Sequence, residues 1–453
     1  MITQGPPPLA PCLNVSTVPT GGCAGDRLQA LPLRRLLRGL TVARVEPIFP
    51  EADLEGLPAG CAQEEALSEL LDWHRVHLYD LESTERVYRE LYRQKQTVAE
   101  VHRVPISPGP PGDPFDYPSG TAWEQSFRKA GPRGVGAEDV VGANGANGAG
   151  VYLADIEAGW ELDGVRLVHP DLPSRTMRYG GELNAPMFAY HGIRVVGILS
   201  ALHQPLPVDA MGLVPNAIPL LLLGNLRALA DGGAIQTTDT QLGTALFYLR
   251  PGDVVLVEAQ TRAPVDGRLL PAEAEGPVFA AIRACVRRGI TVVAAAGNGG
   301  SPLSRAEDSG SILVAGGRWQ PATQSWTRPE WTNYGRRIDC FAEGEHVTTT
   351  GINMEAPPYS PDRYKLTTGF SGTSSAAAII AGVAVSVQGM VRATFPGARG
   401  LQPEALRKLL SDPTLGTEAN DNSIAGPQIG VMPDLAKLAK IIPDLPAADR
   451  ISF

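Results

Sequence analysis

The stretch that decides the fold of this chain is Gly369-Phe370-Ser371-Gly372-Thr373-Ser374-Ser375-Ala376-Ala377-Ala378-Ile379-Ile380-Ala381-Gly382. A short loop bounded by glycines leads directly into a long apolar helix, which we predict over residues 373–393. Ser374 therefore lies at the start of this helix, where unpaired backbone N–H groups and the positive end of the helix dipole favour a developing anion. A serine that attacks a carbonyl group needs such surroundings, because acyl transfer passes through an oxyanion.

The composition is that of an ordinary globular protein. The chain has 453 residues, of which 43% are hydrophobic and 19% charged, and this length allows two or three domains. The net charge is −9 and the pI is about 5.4. The sequence has no basic cluster of the kind that binds nucleic acid or anionic lipid, so we expect neither nucleic acid nor a membrane as a partner.

Three features bear on the cellular location. Residues 1–8 show no positively charged start followed by an apolar segment, so we see no secretory signal. The most apolar runs, Ile218–Leu223 and Val292–Ala296, are too short to span a membrane. The sequence therefore predicts a cytoplasmic protein. The cysteines lack metal-binding spacing, and we expect reduced, mostly buried thiols at Cys12, Cys23, Cys61, Cys285 and Cys340.

The N-terminal part of the chain predicts a small domain. Residues 1–38 are rich in Pro, Gly and Thr, and we expect them to be loosely ordered. Residues 39–104 predict an α+β domain whose elements alternate between strand and helix. The predicted elements are strands over Leu40–Val45, His74–Leu81 and Thr97–Val104, and helices over Glu64–Trp73 and from a Ser83 cap.

A larger α/β domain follows. Residues 105–117 are rich in proline and glycine and predict a stiff linker. Over residues 118–453, alternating strands and helices predict three layers, with a mainly parallel sheet between helices. Active residues are then expected at the carboxyl ends of the strands. The glycine-rich segment 142–148 precedes a strand instead of following one, so it predicts a loop and not a dinucleotide site.

Four segments, in the order Asp, His, Asn, Ser, resemble the subtilisin-like serine peptidases (subtilases). Asp155 ends a predicted strand, His191-Gly192 opens a helix, Asn298 ends the run Ala295-Ala296-Gly297-Asn298, and Ser374 lies in Gly-Thr-Ser-x-Ala. Between the first two, His169-Pro170-Asp171-Leu172 is similar to a structural loop of that family, which excludes His169 as the base.

The resemblance implies a function and a role for each residue. Ser374 would be the nucleophile, His191 the general base and Asp155 the carboxylate that orients the imidazole. Asn298 would donate to the oxyanion together with the Ser374 N–H. The family also implies a protein or peptide substrate and an N-terminal domain that binds the cleft in cis as a propeptide. A permanently attached accessory domain is an equal alternative. The resemblance implies no cofactor. The calcium sites common in the family cannot be recognised from this sequence.

Departures from the family pattern lead to one hypothesis about specificity. Glu258 stands where many subtilases have a cleft-lining Ser-Leu-Gly-Gly segment, and Asp308 precedes the strand that borders the S1 pocket. Two acidic groups around one pocket would favour Lys or Arg at P1. The alternative is that both are surface carboxylates.

Two other classes of protein remain as alternatives. One is a binding or regulatory protein that kept the fold but lost catalysis, which intact Asp155, His191, Asn298 and Ser374 argue against. The other is an esterase of the α/β-hydrolase type, but that class requires Gly-x-Ser-x-Gly and the order Ser, Asp, His.

An endopeptidase in the cytoplasm must be kept from degrading other proteins, so we also expect narrow substrate specificity.

Overall fold

The computed structural model describes most of the chain. The described residues are 9–17, 33, 35–37, 40, 42–49, 69–105, 124–164, 166–173, 176–178, 188–202, 210–217, 220–228, 234–263, 266–303, 306–357, 360–420 and 428–452. The predicted linker over residues 105–117 lies almost entirely outside them, as do Cys23, Cys61 and the first half of the helix expected over Glu64–Trp73.

The strands of the described residues are numbered in chain order: β1 (Leu9–Thr17), β2 (Val42–Pro47), β3 (Trp73–Leu78), β4 (Val98–Pro105), β5 (Leu153–Glu157), β6 (Leu162–Asp163), β7 (Arg166–Leu167), β8 (Thr176–Arg178), β9 (Leu220–Gly224), β10 (Leu226–Ala228), β11 (Ala234–Gln236), β12 (Val254–Val257), β13 (Gln260–Arg262), β14 (Leu269–Pro271), β15 (Thr291–Ala295), β16 (Ile312–Gln320), β17 (Ser325–Thr327), β18 (Cys340–Glu343), β19 (Val347–Ile352), β20 (Tyr364–Phe370), β21 (Ala398–Leu401), β22 (Gly416–Glu418), β23 (Val431–Pro433) and β24 (Arg450–Ser452). The helices are α1 (Leu81–Arg93), α2 (Ala189–Ser200), α3 (Thr238–Tyr248), α4 (Gly276–Arg287), α5 (Thr373–Thr394), α6 (Pro403–Leu410) and α7 (Leu435–Ile441).

The N-terminal domain is an antiparallel sheet in the order β2-β3-β1-β4, covered by α1. The expectation that residues 1–38 are loosely ordered is wrong for β1, which lies inside this sheet. Only Leu13-Asn14-Val15-Ser16 alternate between apolar and polar residues, and they follow Pro11, so the strand signal in the sequence is short. The expected cap at Ser83 is also displaced, because Asp80 is the N-cap and accepts a hydrogen bond from the Ser83 N–H at 2.6 Å.

The larger domain is built on one sheet in the order β22-β23-β18-β16-β15-β12-β5-β9-β8. Every neighbouring pair from β23 to β8 is parallel, and β22 and the side strand β17 are antiparallel to their partners. The remaining strands form the two-stranded pairs β6-β7, β10-β11, β13-β14, β19-β20 and β21-β24. The predicted mainly parallel sheet is therefore confirmed, and its carboxyl edge carries the ends of β5, β12 and β15.

The central helix α5 lies in the core of this domain. Its residues from Thr373 to Val391 are buried, and it packs on β12, β15, β16 and β18. By its length and its mean hydropathy of 1.7 alone, α5 could span a membrane, although no such span was expected from the sequence pattern. All of that window is buried within the protein, which is what the core helix of a large α/β domain requires.

The two domains share one apolar core. Phe49 and Trp73 of the N-terminal domain belong to the main core cluster. A Cβ added to Gly243 of α3 would lie 3.1 Å from the Phe49 ring, and one added to Gly276 of α4 would lie 2.5 Å from the Trp73 ring. The sheet of the N-terminal domain therefore packs directly onto α3 and α4.

A buried ion pair fixes the same interface. The Arg75 guanidinium donates to the Asp239 carboxylate at 2.5 Å and to the Asn14 amide oxygen at 3.1 Å. Both charged side chains of the pair are 2% exposed. Removing one partner of a buried pair leaves the other charge uncompensated, at a cost of about 3–5 kcal/mol.

Candidate active site

Two acidic side chains lie at the carboxyl end of β5. All five residues of the strand are buried, and the two-residue period of a strand places Asp155 and Glu157 on the same face. The Asp155 carboxylate accepts a hydrogen bond from the indole N–H of Trp160 at 3.1 Å. Trp160 in turn packs on α2, where a Cβ at Gly192 would lie 2.5 Å from its ring. Asp155 thus holds the turn that supports the start of α2.

His191 is the third residue of α2 and is fully buried. Its Nδ1 is hydrogen bonded to Oε2 of Glu157, and the other oxygen of Glu157 accepts the Ala158 N–H at 2.6 Å. The prediction that Asp155 orients His191 therefore differs from the structure. Strand β5 continues two residues beyond Asp155, so the carboxylate at its end, Glu157, reaches the imidazole, while Asp155 is engaged by Trp160.

Aromatic packing fixes the His191 ring. The Phe370 ring lies edge-on to the imidazole, with 5.3 Å between ring centroids and 88° between planes. Phe370 ends β20, shortly before the start of α5, so this contact joins the histidine to the loop that carries Ser374. Among the described residues, His191 Nε2 has no hydrogen-bond partner. It is the nitrogen available to take a proton.

Ser374 is the second residue of α5, and it is fully buried. Gly372 precedes the helix with φ of 109°, a conformation that favours glycine, and it turns the chain sharply into α5. The Ser374 Oγ has no hydrogen-bond partner within the described parts of the chain. Ser374 therefore lies at a helix N-terminus, as the sequence predicts, and its oxygen is unengaged.

Asn298 lies beside the same helix start. Its Oδ1 accepts the Thr373 N–H at 3.0 Å and the Thr373 hydroxyl at 2.9 Å. These two bonds fix the orientation of the amide, and its Nδ2 lies 2.9 Å from where a Gly372 Cβ would be. The Nδ2 donor is thus directed to the N-terminal turn of α5, where an oxyanion bound to Ser374 would form.

Glu258 and Asp308 lie in different surroundings. Asp308 is paired with Arg407 at 2.8 Å and with Arg337 at 3.6 Å, so its charge is balanced within the protein. Glu258 is 1% exposed, and the groups that influence it are Glu157 and Asp155 of β5 and the Ser374 hydroxyl. These positions give no support to the hypothesis that both carboxylates attract a basic P1 side chain.

Burial and neighbouring acids raise the pKa of two carboxyl groups in this site, Asp155 and Glu258. Burial raises the pKa of Asp155 well above its ordinary value, and the charge of Glu157 raises it further, while the bond from Trp160 lowers it in part. Burial also raises the pKa of Glu258, with Glu157 and then Asp155 adding to the effect. Like charges in a low-dielectric site cannot all ionise. Of the three acids, Glu157 is the one that contacts an imidazole, a group able to carry a positive charge.

His169 lies in a structural loop, as the sequence predicts. Its ring accepts the Asp171 N–H at 3.2 Å and contacts the Lys365 carbonyl at 3.3 Å. Burial lowers its pKa to about 4, so it stays neutral at physiological pH.

Sequence reasoning missed the roles of Glu157 and Trp160. The available signal was the segment Asp155-Ile156-Glu157, in which two acids two residues apart share one face of a strand. Among the described residues, no group of His, Cys, Asp or Glu side chains has the arrangement of a metal site.

Comparisons with known proteins bear on the fold of this chain. Residues 268–426 match the model of the subtilase family. Fervidolysin from Fervidobacterium pennivorans, a keratinolytic enzyme related to subtilisin, aligns with a TM-score of 0.57 at 15% identity, over 97% of this chain and 62% of its own. The epidermin leader peptide processing serine protease from Staphylococcus aureus aligns with a TM-score of 0.59 at 12% identity, over 95% of this chain and 99% of its own.

These likenesses concern the fold, and they confirm the predicted subtilisin-like architecture. This chain spans about three fifths of the length of fervidolysin, 62%. No curated protein sequence matches it significantly.

Proposed function

We propose that this chain is a subtilisin-like serine endopeptidase that cleaves protein or peptide substrates. The match of residues 268–426 to the subtilase family model and the arrangement of the site support this proposal. In this proposal Ser374 is the nucleophile, His191 is the general base and Glu157 is the carboxylate that holds the imidazole. Asp155 is a positioning residue that acts through Trp160.

Two features support this function: the buried hydrogen bond that the His191 Nδ1–H donates to the Glu157 carboxylate, and an unengaged serine at a helix N-terminus. A carboxylate on Nδ1 fixes the tautomer in which Nε2 is free to accept a proton. Helix α2 packs against α5, and Phe370 joins their two ends, so the base and the nucleophile lie on adjoining elements.

The reaction follows from these positions. Ser374 Oγ attacks the scissile carbonyl carbon as its proton moves to His191 Nε2, and the Glu157 carboxylate stabilises the imidazolium that forms. The oxyanion accepts hydrogen bonds from the Ser374 N–H and Asn298 Nδ2. The intermediate collapses to an acyl-enzyme as the imidazolium gives its proton to the leaving amine. Water, deprotonated by the same imidazole, then releases the acid product.

The N-terminal domain supplies a means of restraint. Its sheet is fixed to α3 and α4 by Phe49, Trp73 and the buried pair of Arg75 with Asp239. A domain docked this firmly stays in place until the interface is broken or the chain is cut. We therefore propose that it acts in cis, either as a folding aid or as an inhibitor.

Labelling with a fluorophosphonate tests the catalytic proposal. The full chain is incubated with the probe, with and without limited proteolysis of the proline-rich segment after Pro105, and its intact mass is measured. We expect one adduct, lost in Ser374→Ala and in His191→Ala.

The matched control is Ser375→Ala, because Ser375 is the adjacent buried serine and its hydroxyl donates to backbone carbonyls of Glu343 and Gly372. This variant should keep the adduct. An adduct that persists in Ser374→Ala would overturn the assignment of Ser374 as the nucleophile. No adduct before or after proteolysis would overturn the catalytic proposal in favour of a binding protein.

A further inference from the structure

Glu258 lies beside the proposed triad on a neighbouring strand. It directly follows β12, which pairs in parallel with β5 so that Leu256 lies opposite Asp155 and Val257 opposite Ile156. The Glu258 N–H donates to the Ile156 carbonyl at 3.0 Å, which continues the pairing by one residue. Glu258 is thus in register with Glu157. In-register neighbours of a parallel sheet point to the same side, so the two side chains share a face.

The Glu258 side chain is buried without a partner of its own. It is 1% exposed, and in the described parts of the chain neither carboxyl oxygen makes a hydrogen bond of normal geometry. The groups that face it are Asp155 and Glu157 from β5 and the Ser374 hydroxyl from α5. His191 of α2 faces Glu157 and not Glu258.

This environment selects the neutral form of Glu258. An ionised carboxylate here would be buried next to two other acids, and the one imidazole already contacts Glu157. Burial raises the pKa of Glu258 well above its ordinary value, the two acids raise it further, and the Ser374 hydroxyl offsets this only in part. A neutral carboxylic acid has one O–H donor. Of the groups that face Glu258, the Ser374 hydroxyl is the one in the proposed reaction, and its oxygen has no partner among the described residues.

We propose that Glu258 is a further catalytic residue, which in its neutral acid form donates a hydrogen bond to the nucleophilic oxygen of Ser374. This inference rests on the proposed function. A hydroxyl oxygen that accepts from Glu258 directs its own proton elsewhere, to His191 Nε2. As that proton leaves, Oγ gains negative charge and the hydrogen bond from Glu258 strengthens. Glu258 keeps its own proton throughout, and the serine proton is carried by His191.

Ionisation of Glu258 would reverse this effect. A carboxylate can only accept, so it would draw the serine proton away from His191 and repel the developing charge on Oγ. Activity should therefore fall as the pH rises through the ionisation of Glu258.

The test compares kcat as a function of pH for the full chain and three variants on a fluorogenic peptide. Glu258→Ala removes the donor and should lower kcat roughly tenfold, the order expected for one hydrogen bond. Glu258→Gln keeps an N–H donor that cannot ionise. It should lower kcat only about twofold and should lose the fall at high pH.

Asp253→Asn is the matched control, because Asp253 directly precedes the same strand and is also a buried acid with a raised pKa, but its contacts are Tyr152, Arg250 and Arg392. It should keep the shape of the wild-type pH profile. If Glu258→Gln and Glu258→Ala both follow the wild-type profile while the phosphonate still labels Ser374, the inference about Glu258 fails and the serine peptidase stands.

A second measurement needs no activity. The infrared difference between wild type and Glu258→Gln at pH 7 should show the carbonyl band of a protonated carboxylic acid. Ser374→Ala should shift that band, because its hydrogen-bond acceptor is gone. Absence of the band, or a band that does not respond to Ser374→Ala, would overturn the inference whether or not the enzyme turns over.

Discussion

Exchanging Glu157 for glutamine removes the negative charge that faces His191 while it keeps the size of the side chain and one acceptor oxygen. Both residues are fully buried. Unit charges about 4 Å apart at an effective dielectric constant of about 20 attract by about 4 kcal/mol. The imidazolium exists only once Ser374 has given up its proton, so this loss falls on the transition state. We therefore expect kcat to fall roughly 10³-fold with little change in KM.

The matched comparison is Asp155→Asn. An asparagine keeps an oxygen that can accept the Trp160 N–H, which is the only side-chain hydrogen bond of Asp155 among the described residues. Its kcat should fall less than about tenfold, because only the packing under α2 is disturbed. Both variants are assayed as full chains on the same peptide, and their thermal unfolding temperatures show whether each remains folded.

The opposite ranking would refute the reasoning. A loss near 10³-fold in Asp155→Asn, together with a small loss in Glu157→Gln, would make Asp155 the catalytic carboxylate, as the sequence resemblance implies. Equal, large losses in both would show that the two acids act as one unit, since effects within a unit are not additive.

Three other changes should have measurable effects. Asn298→Ala should lower kcat roughly 10²- to 10³-fold at nearly constant KM, because an oxyanion donor acts mainly in the transition state; an effect on KM alone would contradict this role. Arg75→Ala should weaken docking of the N-terminal domain by about 3–5 kcal/mol, because it leaves Asp239 unpaired, and proteases should then remove that domain faster. The control Arg89→Ala breaks an exposed ion pair of the same domain and should change little. Glu258→Gln should raise the thermal unfolding temperature relative to wild type, and the difference should grow as the pH rises above the ordinary glutamate pKa. The reason is that an acid whose pKa is raised by folding makes the folded protein less stable as the pH rises. A constant difference between pH 4 and pH 8 would contradict the raised pKa.

Much of the fold could be predicted from the sequence because its signals are local. Buried parallel strands appear as short apolar runs, and the helix that begins at Thr373 is apolar throughout. The positions of His191 and Ser374 at helix starts follow from the same local patterns. Strand β1 could not be found in this way, because its pairing with β3 and β4 joins segments about 60 to 90 residues apart in the chain.

The hydrogen-bond partner of His191 could not be predicted from the sequence for a different reason. Sequence places Asp155 and Glu157 on one face of β5, but it does not show which carboxylate turns toward the imidazole and which toward Trp160. That choice depends on how far β5 extends and on where α2 begins, and element ends are the least predictable part of a fold. The contact of Glu258 with this group required the register of β12 against β5, which is not local either.

The three acids of this site differ in their partners more than in their burial. Glu157 faces an imidazole that can carry a positive charge, Asp155 faces an indole N–H and Glu258 faces a hydroxyl. Only the first of these partners can neutralise a full negative charge, and an uncompensated ion in such a site is costly. Burial and repulsion between the acids therefore favour the neutral forms of Asp155 and Glu258. A base needs the charged acid at Nδ1 of His191, and a nucleophile benefits from a neutral one at Oγ of Ser374. The same electrostatic constraint thus assigns opposite forms to two glutamates that lie side by side on neighbouring strands.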